Sequence, residues 1–228
     1  MRIGIVTAMY EETKPLYERL ATGKKINTEI KAGMNISIAK YNKHTIYLIN
    51  CGIGEIRAAM ATQILVDNYK VERILNFGFV GALSNKCKLN DLVIVDKTVH
   101  YQFDLEKING TPKGQYNNRQ QLYFITDQDI TAKIQQKTSI KAVTLASGDE
   151  FIAETTKKDW LVATFNADIC DMEMAGISLV CENNKVPAVS LKIVSDNANE
   201  EANQTFEETV KKGVTKYETI LEEVLGSL

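Results

Sequence analysis

Histidine is scarce in this chain, with only His44 and His100 among 228 residues. Two imidazoles so far apart give little from which to build a nitrogen-rich metal centre, and no metal site is expected. Cysteine is sparse as well. Cys51, Cys87, Cys170 and Cys181 show no Cys-x-x-Cys spacing, and three of them fall inside apolar segments. They read as buried free thiols of a reducing compartment, which points to the cytoplasm. A basic excess is missing too. Twenty-seven Lys and Arg face 29 Asp and Glu, for a formal net charge of −2, so nothing in the balance favours a nucleic-acid partner. No apolar run approaches the roughly 18 residues of a membrane span. The opening Met-Arg-Ile-Gly-Ile-Val is strand-like and differs from the basic-then-apolar pattern of a secretory leader.

What is present is an ordinary globular balance. Hydrophobic residues make up 44 % and charged residues 25 %. The length suits one large α/β domain over residues 1–228 with a single core. Strand and helix signals alternate along it. Residues 2–8 form a short apolar run. Segments 27–40 and 45–50 alternate polar and apolar and read as the two arms of a hairpin. Residues 54–69 carry apolar side chains at helical spacing. Strands are predicted at 73–79 and 91–96, followed by a loop over 98–123 with Gly110, Pro112 and Gly114. Beyond it come a helix at 126–137, a strand at Lys141–Ser147, a helix at Thr155–Phe165 and a very short strand at Ile169–Asp171. A helix at 172–183, a strand at 188–195 and one long terminal helix at 205–225 complete the order. This alternation predicts a three-layer α/β architecture, with a mixed, mostly parallel central sheet flanked by helices. In such sheets ligands bind beyond the carboxyl ends of strands.

Several strand ends carry chemistry. The first runs into Thr7-Ala8-Met9-Tyr10-Glu11-Glu12. Others end in Cys51-Gly52-Ile53-Gly54, in Gly78-Phe79-Val80-Gly81, in Ser147-Gly148-Asp149, in Asp171-Met172-Glu173-Met174 and in Ser195-Asp196. Gly52-Ile53-Gly54 lacks the third glycine of a dinucleotide fingerprint and the Gly-Lys-Ser/Thr of a P-loop. Glu12, Glu173 and Asp196 are more informative. Three carboxylates on one rim push one another's pKa values apart, so that one serves as an acid and another as a base.

Taken in order, these motifs resemble those of the methylthioadenosine/S-adenosylhomocysteine nucleosidases, across essentially the whole chain. The resemblance implies a nucleoside phosphorylase-like fold, a homodimer, no cofactor, and hydrolysis of the bond between adenine and a 5′-thio-substituted ribose. It assigns catalysis to Glu12, Glu173 and Asp196: Asp196 as proton donor to purine N7, Glu12 as activator of water, Glu173 as holder of the ribose hydroxyls. Ser195 would orient Asp196, and Met172 would pack on the ribose. Phe151 and the Ile152 backbone would meet the adenine, while Met9, Ile53 and Phe206 would line the 5′ pocket. Phe79 and Val80 complete the expected substrate contacts. Phe79 departs from the family's small residue, Asp171 from its Glu and Lys192 from its Arg. Exposed apolar surface for pairing is expected on the terminal helix and in the loop near Phe103. A phosphorylase of the same fold, or a purine-binding module without catalysis, remain alternatives. Against the first, no arginine follows the first strand in a phosphate-binding loop, and Glu12's charge there would repel phosphate.

Overall fold

A computed structural model describes residues 1–22, 26–213 and 215–228. Its strands are β1 (Arg2–Thr7), β2 (Asn27–Lys31), β3 (Met34–Tyr41), β4 (His44–Asn50), β5 (Arg73–Ala82), β6 (Leu92–His100), β7 (Phe124–Ile125), β8 (Lys141–Ser147), β9 (Ile169–Asp171) and β10 (Ala188–Asp196). Its helices are α1 (Tyr10–Ala21), α2 (Glu55–Tyr69), α3 (Glu106–Asn109), α4 (Gln128–Thr138), α5 (Thr155–Phe165), α6 (Met174–Asn184), α7 (Ala202–Gly213) and α8 (Thr215–Ser227).

All the described strands join in one mixed sheet. The ladders β1–β4, β1–β5, β5–β10, β6–β8 and β8–β9 are parallel and carry most of the paired residues, while β2–β3, β3–β4, β5–β9, β6–β7 and β6–β10 are antiparallel. Strands β5, β10, β6, β8 and β9 pair in a closed ring, and β1, β4, β3 and β2 extend outward from β5. Apolar side chains of α2 and α6, including Ala58, Ala61, Leu65, Ile177 and Cys181, cover one face. Those of α1, α4, α7 and α8, including Leu16, Ile134, Val210 and Leu221, cover the other. These are the three layers that the alternation predicts.

Several boundaries differ from the sequence reading. The single arm at 27–40 is two strands, turned at Ala32 (φ 47°) and Gly33 (φ 77°), a pair of left-handed residues suited to a tight hairpin. The terminal helical segment starts at Ala202, three residues before the predicted start, and is described as α7 and α8 on either side of position 214, which lies outside the described residues. Helix α1 was not apparent from periodicity, since Pro15 sits within it and its buried apolar positions are few. Strand β6 runs on to His100, and α3 breaks up the expected loop, where the Phe103 and Tyr116 rings stack with centroids 4.0 Å apart.

The central strand β5 positions the site. It pairs with β10 along most of its length on one side. On the other side it pairs with β1 only as far as Asn76, then with β9 from Gly81. Between those two registers β1 and β9 splay apart, opening a gap at the carboxyl end of the sheet.

Candidate active site

The gap needs polar partners, because β5 has backbone groups there that no strand reaches. Glu12 supplies one. Its Oε1 accepts from the Phe79 N–H at 3.0 Å, and its Oε2 accepts from the Ala8 and Met9 N–H groups, each at 2.9 Å. The last contact also caps the first turn of α1 from its third residue, a capping-box arrangement. Glu12 is therefore fixed by the helix start and the gap together, and it is buried. Burial raises its pKa, while the backbone donors of Met9, Phe79 and Ala8 and the Lys192 charge oppose that rise.

Lys192 is the cation beneath. It stands on β10 opposite Gly78 of β5, and a Cβ at Gly78 would lie 2.9 Å from its Nζ. The glycine thus leaves room for the ammonium group. Lys192 Nζ lies 2.7 Å from Asp171 Oδ2, and both side chains are fully enclosed. Burial would lower the lysine's pKa, but Asp171, Glu173 and Glu12 outweigh it and raise the value.

Glu173 precedes α6, and its Oε1 accepts from the Gly54 N–H at 3.1 Å, at the start of α2. Burial, reinforced by Asp171, pushes its carboxyl up to about 8. Asp196 ends β10 just past a bulge. Val194 pairs with Val80 and Asp196 with Gly81, so Ser195 is the extra residue. The Ser195 hydroxyl lies 2.8 Å from Asp196 Oδ2, and Asp196 Oδ1 accepts from the Ala198 N–H at 2.8 Å. Burial raises this carboxyl's pKa as well. Gly81 gives it space, since a Cβ there would meet Asp196 Oδ1 at 2.9 Å.

These groups open into one cavity of about 390 Å³. Its lining includes every residue singled out from sequence: Met9, Glu12, Ile53, Phe79, Val80, Phe151, Ile152, Met172, Glu173, Ser195, Asp196 and Phe206. Phe206 bridges two other rings. Its centroid lies 6.2 Å from Phe79 and 6.1 Å from Phe151, both edge-on. Phe79 also packs edge-on against buried Tyr217, so it belongs to the cavity wall and to the core at once. Glu150, Cys170, Asp171 and Asn203 line the cavity too and were not predicted as site residues. Lys192 was missed as a functional group. The signal was available, because it is the lone charge inside the apolar run 188–195. Glu55 gave no such signal, since an acidic residue in a first helical turn is commonplace. Among the described residues, no group of His, Cys, Asp and Glu is arranged to hold a metal ion.

This mixed sheet with its carboxyl-rich cavity belongs to a chain that the phosphorylase superfamily model matches over residues 2–226. The chain is 32 % identical to aminodeoxyfutalosine nucleosidase of Campylobacter jejuni, over 92 % of each chain. It is also 32 % identical to 5′-methylthioadenosine/S-adenosylhomocysteine nucleosidase of Buchnera aphidicola, over 92 % of this chain and 91 % of the relative. The crystal structure of the Helicobacter pylori 5′-methylthioadenosine/S-adenosylhomocysteine nucleosidase superposes with a TM-score of 0.94 at 26 % identity, covering 100 % of this chain and 99 % of the other. The chain belongs to the phosphorylase superfamily, as one of its nucleosidases.

Proposed function

We propose that this chain hydrolyses the N-glycosidic bond of methylthioadenosine and S-adenosylhomocysteine, releasing adenine and the 5′-substituted ribose. The observation that carries this reading is the convergence of Glu12, Glu173 and Asp196, all buried, on one cavity with an aromatic wall. Cleavage develops positive charge on the sugar, as in other glycoside hydrolysis. Glu173 would hold the ribose hydroxyls, and its ionised form would favour that charge. Purine leaves poorly as an anion, so Asp196 gives N7 a proton, and its raised pKa suits it to that task. Glu12 takes a proton from the attacking water, whose oxygen bonds to the anomeric carbon as the bond to the base breaks. The proton gained by Glu12 and that lost by Asp196 are exchanged with solvent before the next turnover. No cofactor enters these steps.

Phosphate is a poor alternative nucleophile here. Among the described residues lining the cavity there is no arginine or lysine, and Lys192 below it is committed to Asp171. The aromatic wall of Phe79, Phe206 and Phe151 favours flat or apolar 5′ groups. With the Campylobacter relative's name, it supports aminodeoxyfutalosine as a third substrate of the same site. The test is incubation with each of the three nucleosides, with and without phosphate, followed by chromatography. Base release at equal rates in both conditions is expected. A sugar phosphate product, or a requirement for phosphate, overturns the hydrolytic reading.

A homodimer and a cytoplasmic site of action complete the proposal. Ile53, Ile56 and Met60 form an exposed apolar stripe at and just after the start of α2, with Ile56 80 % exposed. Ile53 also lines the cavity, so a partner seated on the stripe would wall the site. The terminal helices show no large exposed apolar side chain among the described residues, whereas Ile108, in the loop near Phe103, is 79 % exposed. That loop and the α2 stripe are together the proposed pairing surface. No described helix is long and apolar enough to cross a membrane.

A further inference from the structure

A buried polar cluster beneath the cavity is left over once the three carboxyls have their roles. Its members are Glu55 at the start of α2, Ser147 at the end of β8 and Asp171 at the end of β9. All three are buried. Ser147 Oγ lies 2.5 Å from Glu55 Oε1 and 2.5 Å from Asp171 Oδ1, and it accepts from the Ala175 N–H at 3.0 Å. A hydroxyl carries one hydrogen and can donate to only one of the two carboxyls. If both were ionised, one of these short contacts would set lone pair against lone pair in a dry site. A second proton must therefore sit on one of the carboxyls.

The surroundings decide which one holds it. Asp171 is held as an anion by the Lys192 ammonium at 2.7 Å, with the Met174 and Glu173 N–H groups donating at 3.3 and 3.4 Å. Among the described residues, Glu55 has no comparable cation. Its Oε2 accepts from the Gly176 N–H, and its own N–H donates to Asp149 Oδ1 at 2.7 Å, which brings a second negative group close. We propose that Glu55 is a positioning residue acting as a neutral acid: its Oε1–H donates to Ser147, Ser147 donates to Asp171, and Asp171 thereby holds Lys192 beneath Glu12 and Glu173. Burial, with the charges of Asp171 and Asp149, pushes the Glu55 carboxyl up to about 8, in the same sense. Gly176 keeps the arrangement compact, because a Cβ there would collide with the Glu55 carbonyl. The kinetic part of this inference rests on the nucleosidase reading.

The variants Glu55→Gln and Glu55→Ala test it. Glutamine keeps a donor toward Ser147 and an acceptor toward Gly176 without needing a proton, so its kcat on methylthioadenosine should stay near wild type. Alanine releases Ser147 and lets Asp171 and Lys192 shift. A misplaced catalytic group of this kind costs up to about a hundredfold, here expected in kcat with KM little changed. The infrared difference spectrum of wild type against Glu55→Gln at neutral pH reads the proton without any substrate. Its expected feature is the loss of a C=O stretch from an un-ionised carboxyl. Loss of an ionised-carboxylate band instead overturns the neutral acid. A Glu55→Gln enzyme as impaired as Glu55→Ala, or a fully active Glu55→Ala enzyme, overturns the positioning role. A wild-type protein that does not cleave methylthioadenosine defeats the nucleosidase reading and leaves the infrared result to decide the proton.

Discussion

Asp196 owes its character to three neighbours. The bulge at Ser195 aims it into the cavity, Gly81 leaves it space, and the Ala198 N–H fixes one oxygen. An asparagine would keep that acceptor and the contact with Ser195 but would have no carboxyl proton to give. Asp196→Asn should therefore melt close to wild type by circular dichroism. Its release of adenine should fall by about 10²-fold or more, within the usual range for a positioned acid. A variant keeping more than about a tenth of the activity would remove Asp196 from the acid role. Lys192 shows the reverse economy. Its side chain does not line the cavity, yet it lies under Glu12 and Glu173 and tempers the effect of burial on both. Removing one partner of a buried pair leaves an uncompensated charge, which is why Asp171 and Lys192 must be read as a unit.

Strand β5 is the element that gathers these residues, and Phe79 serves it in two ways. Its N–H anchors Glu12 while its ring faces the cavity and touches Phe206 and Tyr217. Phe79→Ser keeps the backbone anchor and removes the ring. The ratio of kcat/KM for methylthioadenosine to that for S-adenosylhomocysteine should then change, because the 5′ wall is altered while the acid and base are not. An unchanged ratio with a lowered melting temperature would assign the ring to packing alone. The same strand shows what sequence could convey. Glycines and acids after apolar runs located the rim, and the twelve predicted residues do line one cavity. The ring closure of β5 with β9 and β10 was not legible, because pairing between distant segments leaves no local period. Helix α1 was hidden by Pro15 and by a short apolar face. Glu55 was hidden because its meaning lies in Ser147 and Gly176, 92 and 121 positions away.

At the scale of the whole molecule, the apolar stripe on α2 bears on assembly. Ile56→Asp places a charge in the middle of that stripe and touches no predicted catalytic group. Light scattering at micromolar concentration should show a two-fold dimer for wild type and a shift toward monomer for the variant. A fully active wild-type monomer would refute the proposed pairing. The start of α2 is also joined to the site from within. The Gly54 N–H holds Glu173, and the backbone at Gly176 leaves no slack against Glu55. These contacts tie the starts of α2 and α6 together across the floor of the cavity. A floor tied in this way would need little ordering by an incoming molecule. A rigid compound that matches the sugar's developing charge would find its receptor in place, so shape mismatch rather than reorganisation would set the limit on how tightly inhibitors bind.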